Sequence, residues 1–287
     1  MVLPGASVFL ACPLCGGGFR ALSAGVKCPR GHNFDFSRSG YLNLLPVNRK
    51  HSREPGDSKE MVAARRSFLE AGYYSRVSDA VNAAVAAALA GMPSGREAVV
   101  LDVGCGEGYY LARLSDFLGA GVFLGLDISK PAISEAARNH RRGNILWAVA
   151  GAKKLPVGDG KAAVIVSVFS PRDFGEFHRV LARGGSLVTV TPAENHLISL
   201  RRLLYDDVFP MAADEKDRGE FSRYFIKADS ICLDYETNVG GKEAVRNLIG
   251  MTPYSWKTPR EKLAAARELH SLSVEVAVNV TVLSRRD

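Results

Sequence analysis

From residue 98 onward the chain alternates short apolar runs with stretches of helical periodicity. The runs are Val99–Val103, Val122–Leu126, Ile145–Ala148, Ala162–Val168 and Ser186–Val190. Continuous apolar runs of this length, separated by helix-length segments, predict strands buried on both faces and joined by crossover helices, the βαβ units of a parallel sheet. Gly184-Gly185 is expected to close the helix before the fifth run. Near the end, Val274, Val276, Val278, Val280 and Val282 recur with the period of two that marks a strand, so Val274–Leu283 is expected to join the sheet as a late strand.

Upstream the pattern differs. Lys59–Ala71 and Tyr74–Leu89 have helical periodicity, the first capped by Asp57 or Ser58 and the second ended by Gly91 and Pro93. Asn48–Ser58 is polar and basic and contains Pro55-Gly56, as a linker does. Residues 12–46 are rich in Cys, Gly and aromatics with little periodicity, as expected of a module held by something other than a large core.

Composition narrows the class. The chain has 287 residues, 47% hydrophobic and 23% charged, which is the balance of an ordinary globular protein and excludes collagen-like and disordered classes. No apolar run reaches the roughly 18 residues needed to span a bilayer. The opening stretch lacks the positive start of a signal peptide. A soluble cytoplasmic protein with no membrane association is therefore expected. The net charge of +7 is concentrated at the start, since residues 1–66 carry ten Lys/Arg against four Asp/Glu. A basic module on a charge-balanced remainder points to a polyanionic partner, with a merely solvated basic surface as the alternative. Arg49, Lys50 and Arg53 concentrate that charge.

Three of the five cysteines lie between residues 12 and 28. Cys12-Pro-Leu-Cys15 and Cys28-Pro-Arg-Gly-His32 make C-x2-C, twelve residues, then C-x3-H, and two such knuckles can offer three thiolates and an imidazole tetrahedrally to a structural zinc ion. Free thiols or a redox pair are the alternative, but neither requires the second, complete knuckle. Four protein ligands leave no open position, so the expected role is architectural. Phe34, Phe36 and Tyr41 stand beside basic residues and could stack on unpaired bases, or form the small core of the module. Cys105 and Cys232 read as small apolar residues. The division that follows is 1–46 zinc-binding module, 47–95 linker and helices, and 96–287 catalytic domain.

Val99–Val103 leads into a G-x-G-x-G turn at Gly104, Gly106 and Gly108, and a helix begins near Tyr109. The spacing is not that of a dinucleotide fold, and the Lys-Ser/Thr of a phosphate loop is missing. S-adenosylmethionine carries no phosphate, so Glu107 within the turn is compatible with it. Asp127, nineteen residues after Gly108 and ending the second run, can accept both ribose hydroxyls, or it can cap the next helix. Gly151, between Ala150 and Ala152, is placed to edge the adenine. Together these features are similar to the class I methyltransferase pattern, which implies a Rossmann-like and mostly parallel α/β sheet with one late antiparallel strand.

Taken with Gly40-Tyr-Leu-Asn-Leu-Leu-Pro46, Pro55-Gly-Asp-Ser58, Arg65-Arg66 and Tyr73-Tyr74, the sequence resembles the bacterial 23S rRNA (guanine-N1)-methyltransferase family nearly end to end. The resemblance implies methyl transfer from S-adenosylmethionine to N1 of a guanine in a stem-loop of 23S rRNA. It also implies a structural zinc on Cys12, Cys15, Cys28 and His32, cofactor contacts from Tyr74, Gly106, Glu107 and His196, and a homodimer. Asp57, Glu60 and Asp173 are candidates for the base that removes the N1 proton. A small-molecule methyltransferase and a non-catalytic RNA-binding protein are the competing readings.

Overall fold

The computed structural model describes residues 8–46, 55–92, 98–208, 219–256 and 258–287. Arg49, Lys50 and Arg53 lie outside the described residues. In chain order the elements are β1 (Arg20–Ala21), β2 (Gly25–Lys27), β3 (Asn33–Asp35), β4 (Leu42–Asn43), α1 (Lys59–Glu70), α2 (Ser75–Ala90), β5 (Val99–Val103), α3 (Tyr109–Leu118), β6 (Val122–Asp127), α4 (Lys130–Asn139) and β7 (Ile145–Val149). They continue with β8 (Ala162–Val168), α5 (Phe174–Val180), β9 (Leu181–Pro192), α6 (Ile198–Leu204), β10 (Phe225–Gly240), α7 (Lys242–Met251), α8 (Arg260–Arg267) and β11 (Ser271–Arg285).

The main sheet has the order β10-β11-β9-β8-β5-β6-β7-β4. Each neighbouring pair from β9 to β4 is parallel, whereas β11 is antiparallel to both β9 and β10. Among the described strands of this sheet β11 is therefore the one that runs against the rest, as the class I pattern implies. Chain connections diverge at the carboxyl ends of β5 and β8, the switch point where open α/β sheets bind ligands.

Alternation along the central strands separates two cores. Val100 and Phe123 face the side covered by α2, α3 and α7, while Val99, Leu101, Val103, Leu124 and Leu126 face the side covered by α5 and the N-terminal segment. Leu10, Phe19 and Val26 belong to the second core, Leu10 bridges Val157, and the Ala11 N–H donates to the Pro156 carbonyl at 2.9 Å. Strand β4, within the stretch expected to be a separate zinc module, pairs with β7 and extends the large sheet. Residues 8–46 are thus built onto the sheet; too few apolar residues are present there for a core of their own.

Local expectations divide into those met and those corrected. Ser58 is the cap of α1, accepting the Met61 N–H, while Asp57 pairs with Arg65. Helix α5 ends at Val180, before Gly184-Gly185, which falls inside β9 where the register with β8 shifts. Strand β10, which the sequence reading did not name, is an edge strand held by fifteen paired positions with β11 and largely exposed. Cys105 is buried as expected, but Cys232 is exposed on that edge strand. Tyr41 is 5% exposed and sits in the core, and Phe34 packs edge-on against Phe19 at 5.6 Å, so these rings serve packing.

Candidate functional site

The turn after β5 is fixed by contacts at two of its three glycines. Gly104, Gly106 and Gly108 have φ of 80°, 58° and 89°, which side chains rarely adopt. A Cβ at Gly104 would also lie 2.4 Å from the Ser170 Cβ, and one at Gly108 would lie 2.5 Å from the Trp147 ring. A Cβ at Gly106 would meet only Arg65, 3.7 Å away. Gly104 and Gly106 line a cleft of about 1850 Å³, whereas Gly108 packs on Trp147 away from it.

Asp127 holds this turn from the neighbouring strand. One carboxylate oxygen accepts the Gly106 N–H at 2.9 Å and the other accepts the Ser129 N–H at 2.7 Å. The cap of α4 is Ser129, which accepts the Ala132 N–H, so the capping alternative for Asp127 is excluded. Burial pushes the Asp127 carboxyl up, opposed by the two N–H groups it accepts.

Two further carboxylates are buried here, Asp102 on β5 and Glu107 within the turn. Asp102 is 1% exposed and Glu107 3%, and one oxygen of each has no hydrogen-bond partner. Burial, with Asp127 and Glu107 nearby, pushes Asp102 well above the usual range. Burial also pushes the Glu107 carboxyl up to about 7, against the pull of Arg65 and of backbone N–H groups. Arg65 reaches into the cleft from α1, pairs with Asp57 and donates to the Met251 carbonyl at 3.1 Å. Glu107, Asp127 and Asp57 line the cleft beside Arg65, acidic groups that a cationic ligand can meet, with Asp102 buried out of its reach.

On the opposite wall the Tyr74 hydroxyl lies 3.2 Å from His196 Nε2, and both residues are buried. Burial, and then the charge of Arg201, push the imidazole down to about 4, with the Ala277 backbone opposing, so it is neutral at physiological pH. Phe169 stacks on His196 with centroids 5.5 Å apart and planes at 24°. Gly151 lines the cleft, where an added Cβ would make only ordinary contacts with Ile128 and Leu45.

The four predicted metal ligands also converge. Their ligand atoms all lie within 4.8 Å of one another, with Cys12 Sγ 3.5 Å and Cys28 Sγ 3.3 Å from His32 Nδ1, and 3.6 Å between Cys15 Sγ and Cys28 Sγ. These edges suit a tetrahedron with bonds of about 2.0–2.3 Å around zinc. Gly16 and Gly31, at φ of 75° and 87°, turn each knuckle back on its first cysteine carbonyl.

Comparison with known proteins matches residues 10–53 to the zinc-ribbon family described as RlmA, N-terminal, and residues 100–185 to a methyltransferase domain family. A Micromonospora griseorubida protein named as a candidate 23S rRNA (guanine-N1)-methyltransferase is 38% identical over 288 residues, covering 95% of each chain. The chain belongs to the 23S rRNA (guanine-N1)-methyltransferase family. The 23S rRNA (guanine(748)-N1)-methyltransferase of Streptomyces fradiae is 40% identical over 67% of this chain and 66% of that one. A chain in the solved complex of the Haloferax volcanii Trm112 methyltransferase activator with a candidate methyltransferase shares the fold, with a TM-score of 0.50 and 20% identity over 81% of this chain and all of that one.

This methyltransferase is therefore an S-adenosylmethionine-dependent enzyme of class I fold carrying an N-terminal zinc ribbon. Its described helices include none long and apolar enough to cross a membrane. Of the three carboxylates considered as bases, Asp57 is held by Arg65, Asp173 caps α5 through the Glu176 N–H, and Glu60 sits exposed in the first turn of α1. Sequence reasoning missed Asp102, and Phe169, which breaks no periodicity. Arg65 was visible only as part of a family motif.

Proposed function

We propose that this methyltransferase modifies N1 of a guanine in a 23S rRNA stem-loop, with S-adenosylmethionine seated on the turn after β5. The observation that carries this reading is the cleft: about 1850 Å³ exceeds the roughly 300–1,000 Å³ of small-ligand sites and leaves room for an acceptor base beside the cofactor. The residues fit the cofactor. Glu107 has a buried oxygen in need of a donor and meets its cationic methionine end. Asp127 keeps lone pairs for the ribose hydroxyls, and Gly151 borders the adenine. Gly104 and Gly108 shape the turn; Gly106 lets the cofactor approach its backbone; Tyr74 and His196 close the far wall.

When bound, the cofactor supplies an already activated methyl group, so the protein's task is alignment and exclusion of water. The neutral His196 accepts from or donates to Tyr74 and fixes that ring. Lys153, Lys154 and Lys227 at the cleft rim, with the basic N-terminal region, are assigned to RNA phosphates. N1 is engaged in pairing within a stem, so the guanine must be unpaired or flipped out. Cys12, Cys15, Cys28 and His32 would hold the zinc, bracing the 1–46 module against the 96–287 catalytic domain across the 47–95 segment. A cytoplasmic homodimer follows from the resemblance of the chain to its family.

Mass mapping of 23S rRNA from a deletion strain tests the proposal. The expected result is loss of one N1-methylguanine, restored by the gene. Unchanged rRNA, with turnover on a metabolite instead, would favour the small-molecule reading.

A further inference from the structure

Phe169 is one of two described non-glycine residues with positive φ, at 50°. That conformation is disfavoured for an aromatic residue and persists only where the surroundings enforce it. Here they do. The Phe169 N–H donates to the Val190 carbonyl at 3.1 Å, and the next residue, Ser170, donates its hydroxyl to the Val103 carbonyl at 2.7 Å. The twist does not bury the ring. It is 40% exposed and lines the cleft, while its aromatic neighbour Tyr74 is 3% exposed. One side of the ring is backed by His196 at 24°, and Tyr74 lies behind at 6.1 Å.

The position is as telling as the exposure. In the strand order β7-β6-β5-β8, the proposed adenine and ribose sites lie at the ends of β7 and β6 and the methionine site at the end of β5. Phe169 follows β8, one step further along the same edge. Ser170 packs against Gly104, so the backbone that carries Phe169 runs beside the cofactor turn and its ring lines the same cleft. A rigid, neutral, half-open aromatic face at the methyl-donating end of a cleft matches the π-face of a purine, which stacks without any charge partner.

We propose that Phe169 is the platform on which the acceptor guanine stacks, presenting N1 to the methyl donor. This rests on the function proposed above and names the residue that recognises its acceptor. The neutral imidazole of His196 supports the ring from behind and adds no charge to a site that binds a cation.

The test compares F169A, F169L and F169Y with the wild-type chain. Methyl transfer to an unmodified 23S rRNA transcript, S-adenosylmethionine affinity by calorimetry and thermal unfolding are measured for each. F169Y is expected to retain activity. F169A and F169L should both lose roughly 10- to 100-fold in kcat/KM for RNA, with cofactor affinity and unfolding temperature close to wild type. F169L keeps the apolar bulk without the π-face, so wild-type activity in F169L would overturn the platform. A parallel loss of cofactor affinity would overturn it too, assigning the ring to the cofactor. No methyl transfer to RNA by the wild-type chain would instead overturn the underlying function, and the platform with it.

Discussion

The Asp127 carboxylate accepts the Gly106 N–H at 2.9 Å, so the end of β6 holds the turn that follows β5. The residue assigned to the ribose thus also positions the backbone proposed to carry the methionine end. Asp127→Ala is expected to weaken S-adenosylmethionine binding by about 1–3 kcal/mol through loss of a charge-assisted acceptor. It should also lower the unfolding temperature of the cofactor-free protein, since two N–H groups lose their partner. Calorimetry and thermal unfolding check both; unchanged affinity would remove Asp127 from the cofactor site.

Glu107 gives a pH dependence whose sign is fixed by its burial. Its carboxyl is raised from 4.5 to about 7 in the folded chain. A raised acid contributes its stability below the unfolded value and loses it as pH rises through the folded one. Glu107→Gln should therefore stabilise the cofactor-free protein at pH 8, with the gain shrinking across the window from about 7 to 4.5 and vanishing below it. Cofactor affinity of the wild type should rise through the same window as the carboxylate ionises, and the Gln variant should flatten that rise. Thermal unfolding and calorimetric titrations from about pH 4 to about pH 8 measure both.

Removing zinc should reach beyond the knuckles. Leu44 and Leu45 follow β4 and line the cleft, and β4 is paired to β7. Cys28→Ser, or chelation, is expected to release one zinc per chain, unfold the module and weaken cofactor binding through the loosened Leu45 wall. Elemental analysis with parallel cofactor titration decides; full cofactor affinity after zinc loss would mean that β4 holds its place without the metal.

Lys153 and Lys154 are exposed at the cleft rim. Replacing both with Ala should weaken RNA binding evenly across sequences and reduce its salt slope by about 0.7–0.9 for each phosphate no longer neutralised. Cofactor affinity should not move. A salt series on a 23S rRNA fragment makes the comparison, and a wild-type slope in the double variant would show that these lysines are merely solvated.

The sequence by itself determined what repeats along the chain or depends on close neighbours. The apolar runs named five strands of a parallel sheet, and the valines at every second position from Val274 to Val282 named a late strand, whose reversed direction is a matter of pairing. The spacing of Cys12, Cys15, Cys28 and His32 described their cluster, because each half of it is a local turn. The glycines of the cofactor turn were legible for the same reason, since positive φ is a local demand.

Tertiary structure alone decided what depends on partners distant in sequence. Strand β10 is ordered by hydrogen bonds to β11, which its mixed composition does not record. Strand β4 belongs to the large sheet because β7, a hundred residues on, offers it an edge. Arg65 pairs with Asp57 and comes within electrostatic reach of the buried Glu107 only when α1 closes over the turn. Phe169 differs from the other phenylalanines in nothing the sequence displays. Its backbone is twisted and its ring left open because Val190 and Val103, on strands either side of its own, hold the chain there. Pattern encodes which groups must leave water, whereas the pairing of those groups across the sheet is settled only when the chain has closed on itself.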